Sequence, residues 1–252
     1  MKISAEGLCF TYPRAREPAL REASAEVPSG SVLAILGPNG CGKSTLLGAL
    51  IGTRRPSAGK VRFDGRDILS ASAGERARLS AFLPQIERLS FDLTALEYSL
   101  LGRAPQIAIF GKPSAEDEAA AIGALESAGA IALAGRRVNE LSGGELQLVR
   151  IARCLTQGTP AIVMDEPTSM LDPRHARMVA DRILALSASG RTIVFSTHDT
   201  AFAAYAADCA VLMRDGRTLY QGSAPEALRA DRLASCFGVA FGAAPAPSPF
   251  SS

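Results

Sequence analysis

Residues 31–50, SVLAILGPNGCGKSTLLGAL, constrain this chain more than any other stretch. VLAIL is a continuous apolar run, the pattern of a parallel strand buried on both faces. Glycines interrupt it, and a helical pattern follows from Lys43. Strand, glycine turn and helix in that order belong to an α/β sheet. The turn also carries a chemistry. Gly37, four residues, then Gly42-Lys43-Ser44 fits a phosphate loop in full. Its glycines let the backbone of Gly37, Pro38, Asn39, Gly40, Cys41 and Gly42 wrap phosphate oxygens without side-chain clash. Lys43 is expected to reach the β- and γ-phosphates, the Ser44 hydroxyl to ligand Mg²⁺, and Thr45 to add a phosphate contact. Lys43 is not background composition, because the chain has only four lysines: Lys2, Lys43, Lys60 and Lys112.

The 252 residues are 47% apolar, enough for one large domain or a domain with a lobe. A net charge of +2 is too mild for a nucleic-acid footprint, so no nucleic acid is expected. Five cysteines, an odd number with no C-x-x-C pair, argue against a disulfide framework and a zinc site, and for a reducing compartment. The N-terminus has no apolar signal region, and no apolar run approaches the roughly 18 residues of a membrane span. A soluble, cytoplasmic protein is expected, one able to sit on a membrane through partners.

Along the chain, KISAEGLCFTY, ALREASAEV and SVLAILG read as strands separated by turn signals at Pro13, Pro18 and Pro28-Ser29-Gly30. GKVRFDG and SAFLPQ are two more, the latter ending at Pro84-Gln85. From about Leu93 to Gln157 the pattern turns helical: LTALEYSLLGR, SAEDEAAAIGALESAGA and GGELQLVRIARCLTQ. Ser114 followed by Asp117 reads as an N-cap with an acidic first turn. The block reads as a helical lobe inserted into a sheet domain. Beyond it, AIVMDE, RTIVFSTH and CAVLMRDG are strands alternating with helices. The Pro/Ser/Ala-rich end, residues 243–252, is expected to be disordered.

AIVMDEP places Asp165 and Glu166 at the end of an apolar strand. In phosphate-loop enzymes an aspartate there holds Mg²⁺, and an adjacent carboxylate can polarise water. A second glycine loop, NELSGGELQLVRIAR, again precedes a helix, where free amides and the helix dipole suit an anion. One nucleotide needs only one such cradle.

LSGGE resembles the signature motif of ATP-binding cassette (ABC) ATPases. The order agrees: phosphate loop, Gln85 after a strand, LSGGE, the strand ending in Asp165-Glu166, SMLD, and His198 after a strand. The resemblance covers about residues 1–235. It implies a RecA-like P-loop NTPase core with an N-terminal antiparallel β subdomain and an inserted α-helical subdomain. The ABC ATPase domain would span 1–242, with the helical part over about 90–158. It further implies two cassettes packed head to tail with ATP between them. Ser142, Gly143, Gly144 and Glu145 would then serve the γ-phosphate of the ATP on the partner. Glu145 stands where glutamine is common.

By the same resemblance Tyr12 stacks on adenine, unless it is a core tyrosine. Gln85 contacts Mg²⁺ and water, Ser169 and Asp172 lie in the loop crossing to the other subunit, and His198 is the switch histidine. Glu166 is the catalytic carboxylate, with Asp165 and Ser44 on the metal. The remaining histidine, His175, reads as a solvated surface residue. Cys41 reads as a small residue that fits the loop. Alternatively, a thiol beside Lys43 at a helix N-terminus has a lowered pKa and is shielded by nucleotide.

LTALEYSLLGRAPQIAIFGKPSAEDE is similar to the segment following the glutamine loop in cassettes of importers for ferric siderophores, haem, cobalamin and some oxyanions. Gly102-Arg103-Ala104-Pro105 fits, and Gln106 replaces the usual histidine. The resemblance implies an ATPase powering uptake of a metal chelate, with ATP and Mg²⁺ as cofactors. Its partners would be a second cassette, integral membrane permeases and a substrate-binding protein, and its place the cytoplasmic face of the inner membrane. A soluble cassette ATPase of the iron–sulfur assembly kind, and molybdate or oxyanion uptake, are the alternatives.

Overall fold

A computed structural model describes residues 1–87, 92–108 and 111–239. Two sheets organise it. Strands β1 (Ile3–Phe10), β2 (Leu20–Val27), β4 (Ala58–Phe63) and β5 (Arg66–Asp67) form an antiparallel sheet in the order β2-β1-β4-β5. The second sheet runs β10-β9-β3-β8-β7-β6. It comprises β3 (Val32–Leu36), β6 (Ser80–Leu83), β7 (Ala161–Asp165), β8 (Thr192–Thr197), β9 (Cys209–Arg214) and β10 (Arg217–Ser223). β6, β7, β8, β3 and β9 pair parallel, and β10 closes the edge antiparallel. This is the P-loop NTPase architecture with an antiparallel sheet and a helical insert that the sequence implied.

Strand alternation divides the interior. Val32, Ala34 and Leu36 of β3 enter one core, while Leu33 and Ile35 enter another. β7 splits likewise, Ile162 and Met164 against Ala161 and Val163. The second core lies between the two sheets. It is filled by Leu46, Leu47 and Leu50 of helix α1 (Lys43–Leu50), with Ile3, Leu8 and Phe63 of the antiparallel sheet. The first core takes the helices of the opposite face, α6 (Pro173–Ala188) and α7 (Thr200–Ala206) among them.

Between β6 and β7 the chain builds α3 (Ala95–Leu100), α4 (Ala115–Ala128) and α5 (Gly143–Thr156), which pack on one another. Each starts with a capping box, at Thr94/Glu97, Ser114/Asp117 and Ser142/Glu145. The expected helix LTALEYSLLGR is shorter than its pattern. It ends as a 3₁₀ turn at Leu101–Arg103, because Gly102 lies against the last turn of α5: a Cβ there would meet the Arg153 carbonyl at 2.2 Å. Three short helices lie outside the elements expected from sequence: α2 (Ala73–Leu79), which starts with a capping box at Ser72/Glu75, α8 (Ala224–Ala227) and α9 (Ala230–Phe237). Among the described residues no helix is long and apolar enough to cross a membrane. Residues 243–252 lie outside the described residues.

Candidate functional site

β3 delivers the first glycine loop to the carboxyl end of the parallel sheet, where such folds place ligands. Glycine is required there by close approach and by backbone sign. A Cβ on Gly37 would meet the Met213 carbonyl at 2.2 Å, and Gly42 has φ 107° with its Cβ position 2.6 Å from the Ala19 carbonyl. Gly42 is the N-cap of α1 and supplies no side-chain cap, so the first amides of the helix keep their donors for an anion. Lys43 is 5% exposed, and its ammonium donates to the carbonyls of Gly37 (2.7 Å) and Pro38 (3.2 Å). The loop is thus braced around its own cation.

A cavity of about 860 Å³ opens at this loop. Asn39, Gly40, Gly42, Lys43, Ser44 and Thr45 line one side, and Tyr12, Gln85, Glu166, Ser169 and His198 line the rest. Tyr12 stands beyond the end of β1, not within it. Its hydroxyl shares a 3.0 Å hydrogen bond with Thr45 Oγ1, and the Arg54 guanidinium stacks 4.7 Å from its ring centre. Glu166 sits in the left-handed region at φ 47°, which turns its carboxylate back toward the loop. One oxygen lies 3.7 Å from Lys43 Nζ, and the other is 3.1 Å from His198 Nδ1. The expected catalytic trio therefore splits into a bonded pair, Glu166 and His198, with Gln85 on the rim.

Asp165 faces a neighbouring cavity of about 330 Å³ that also touches Ser44 and Gln85. Its carboxylate accepts a 2.5 Å hydrogen bond from the Ser196 hydroxyl, and that same oxygen of Ser196 accepts from the Glu166 amide at 2.9 Å. Ser196 thus ties both carboxylates to β8. Sequence reasoning passed over it, although it lies two residues before His198.

Cys41 follows the first of its two readings. Its thiol is 4% exposed, and burial pushes its pKa up despite the Lys43 charge. It is a packed small residue, not an activated nucleophile.

The second glycine loop is built differently and stands apart from the main cavity. Ser142 and Gly143 are exposed, while Gly144 is buried. The Ser142 hydroxyl accepts from the Glu145 amide at 3.4 Å, and Glu145 Oε2 accepts from the Ser142 amide at 2.8 Å. The Ser142 amide, helped by the Ser142 hydroxyl and Arg136 at 2.9 Å, holds the Glu145 carboxyl below its usual pKa range. Glutamate here is an anchored capping residue. His175 is not the solvated residue expected: its ring lies on Gly144 and its Nδ1 is 2.7 Å from Asp172 Oδ2. Asp172 itself caps α6.

Helix α5 also carries a polar stripe that sequence reasoning missed. Buried Gln147 donates to the Pro167 carbonyl at 2.6 Å, next to Glu166. Arg150 donates to the Pro84 carbonyl, next to Gln85, and Arg153 to the Phe82 carbonyl at 3.2 Å. The i, i+3, i+6 spacing on one face was the available signal.

The sequence profile of the ABC transporter family matches residues 20–169. The chain belongs to the ABC transporter family. It is an ATP-binding, ATP-hydrolysing cassette. It is similar to the hemin import ATP-binding protein HmuV of Streptomyces coelicolor, 41% identical over 218 residues, 86% of this chain and 77% of that one. Among solved structures it is similar to a metal-chelate type ABC transporter in an inward-facing conformation. That likeness has TM-score 0.83 and 31% identity, and covers 94% of this chain and 89% of that one. A dimeric cassette in a post-hydrolysis state with ADP and Pi superposes with TM-score 0.77 at 27% identity, covering 88% of this cassette and 98% of that one.

Proposed function

We propose that this cassette drives import of a metal chelate of the ferric siderophore, haem or cobalamin class. One observation carries the reading: the likeness to hemin-import and metal-chelate cassettes extends over nearly the whole chain. The local geometry supports it. The Gly102-Arg103-Ala104-Pro105 corner is a built feature, with Arg103 Nε donating to Asp117 Oδ1 at 2.7 Å. Gln106, in the place of the usual histidine, donates to the Gln157 carbonyl at 2.9 Å. A rigid corner on the helical lobe is a suitable platform for a membrane subunit. In this reading residues 1–242 form one ATPase unit with the helical lobe over about 90–158. The cassette works at the cytoplasmic face of the inner membrane with permease subunits and a substrate-binding protein.

Two copies act head to tail. The supporting geometry is the exposure of Ser142 and Gly143 away from their own phosphate loop. Within each site, Lys43 and the α1 amides bind the phosphates, and Tyr12 flanks the base. Glu166 orients the attacking water and takes up its proton, and His198 holds the Glu166 carboxylate in place. Ser44, Gln85 and Asp165 offer an all-oxygen donor set around one cavity, which fits Mg²⁺, a hard cation that keeps few protein ligands. Bound there, Mg²⁺ would neutralise phosphate charge. Ser142 and Gly143 of the second copy complete the γ-phosphate contacts, and Asp172 crosses toward it.

The test is a mild-detergent pull-down of the tagged cassette from its host membranes, with partners identified by mass. A polytopic membrane protein, joined by a binding protein when haem or a ferric chelate is supplied, is the expected result. Recovery of soluble partners alone would overturn the importer reading.

A further inference from the structure

The contact between His175 and Gly144 joins two segments that the proposed function assigns to the second copy. A Cβ on Gly144 would lie 2.0 Å from His175 Cδ2 and 2.3 Å from Cγ, so the ring rests directly on the first turn of α5. The same residue meets Asp172 twice: the imidazole Nδ1 is 2.7 Å from Oδ2, and the His175 backbone amide donates to Oδ1 at 2.9 Å. The loop from Glu166 to Asp172 is pinned to α5 a second time, by Gln147 Nε2 on the Pro167 carbonyl at 2.6 Å. Its first residue, Glu166, faces the cassette's own Lys43 at 3.7 Å.

We propose that His175 is a positioning residue that locks Asp172 to the signature loop and so couples the two ATP sites of a dimer. The proposal rests on the head-to-tail reading above. A shift of Glu166 at one site moves the loop that follows it. His175 and Gln147 pass that shift to the start of α5, and hence to Ser142 and Gly143, which act at the other site. A packed, hydrogen-bonded path of this kind can carry coupling, and only an energetic measurement shows that it does. Asp172, His175 and Gln147 do not line the cassette's own cavity, although Glu166 and the loop residues Thr168–Leu171 do. Loss of His175 should therefore change cooperativity while leaving affinity in place.

The test measures the ATP dependence of hydrolysis by the full chain, with nucleotide binding followed separately. Wild type is expected to show a Hill coefficient above one, approaching the two sites available. His175→Ala should bring it to one while ATP affinity changes by less than about two-fold. His175→Asn, whose amide nitrogen can occupy the Nδ1 position, should keep the wild-type coefficient. If His175→Ala does not fold, His175→Gln serves as the disconnected variant, since it keeps bulk over Gly144 but places no donor at that position. Retained cooperativity in the disconnected variant overturns the proposal. So does loss of cooperativity in His175→Asn as complete as in His175→Ala. A wild-type coefficient of one, with no nucleotide-dependent dimer, removes the head-to-tail reading and the proposal with it.

Discussion

The two glycine loops differ most where they look most alike. Both precede a helix, and both expose backbone. The N-cap of α1 is a left-handed glycine with no side-chain cap, and its loop is braced by Lys43 beside Glu166. The N-cap of α5 is Ser142, in a capping box with Glu145, and it does not line the cavity that holds Lys43 and Glu166. The first loop leaves its donors open and surrounds them with reacting groups. The second satisfies part of its donors and turns the rest outward. In the proposed head-to-tail pair, one loop is a site, and the other is half of a site made elsewhere.

This contrast can be broken by experiment. Lys43→Ala should lower hydrolysis roughly 10²–10³-fold, by analogy with loss of a transition-state charge contact. It should also weaken nucleotide binding, measured with a fluorescent ATP analogue. Glu166→Gln should lose about 10²–10⁴-fold in turnover but keep ATP bound, and should run as a dimer on size exclusion with ATP present. Wild-type turnover in either variant removes the assignment.

Mixing sharpens the comparison. Lys43→Ala and Ser142→Ala should each be poorly active alone. In an equal mixture, half the dimers pair a sound first loop with a sound second loop at one of their two sites. Phosphate release should then rise above that of either variant alone, to at most about one quarter of the wild-type rate, since the lone sound site lacks a working neighbour. No recovery would mean that both loops serve the same copy.

A smaller effect is expected at Gly144. Gly144→Ala forces its methyl into the His175 ring, an overpacking that costs about 1–3 kcal/mol, read as a lower melting temperature. The His175→Ala background should relieve that loss. The smallest effect concerns pH. The Ser114 amide and then the Arg103 guanidinium push the Asp117 carboxyl down to about 2 from an ordinary 3.8. A depressed carboxylate contributes stability above its unfolded pKa, and that contribution fades as pH falls toward the folded value. The melting-temperature gap between wild type and Asp117→Asn should therefore be present above about pH 4 and close by about pH 2.

What could be read from sequence was what local spacing encodes. The phosphate loop, the Ser114/Asp117 cap, the strand ending at Asp165 and the order of motifs are short-range patterns, and the fold followed from them. What escaped notice depends on contacts between separate helices. His175 reads as solvated because nothing near it in sequence reports Gly144. Cys41 lies in the core between the two sheets, among residues far from it in sequence, and burial there outweighs the nearby charge that alone would favour a thiolate. Gly102 looks like part of a linear motif, yet its lack of a side chain answers to the Arg153 carbonyl.

The alternation of β3, β7 and β8 between two cores has a consequence for how such a chain can change over generations. Odd-numbered residues of β3 answer only to α1 and the antiparallel sheet, and even-numbered ones only to the helices of the other face. Drift in one set is invisible to the other. The face that carries the helical lobe can be remodelled while the core between the two sheets stays unchanged.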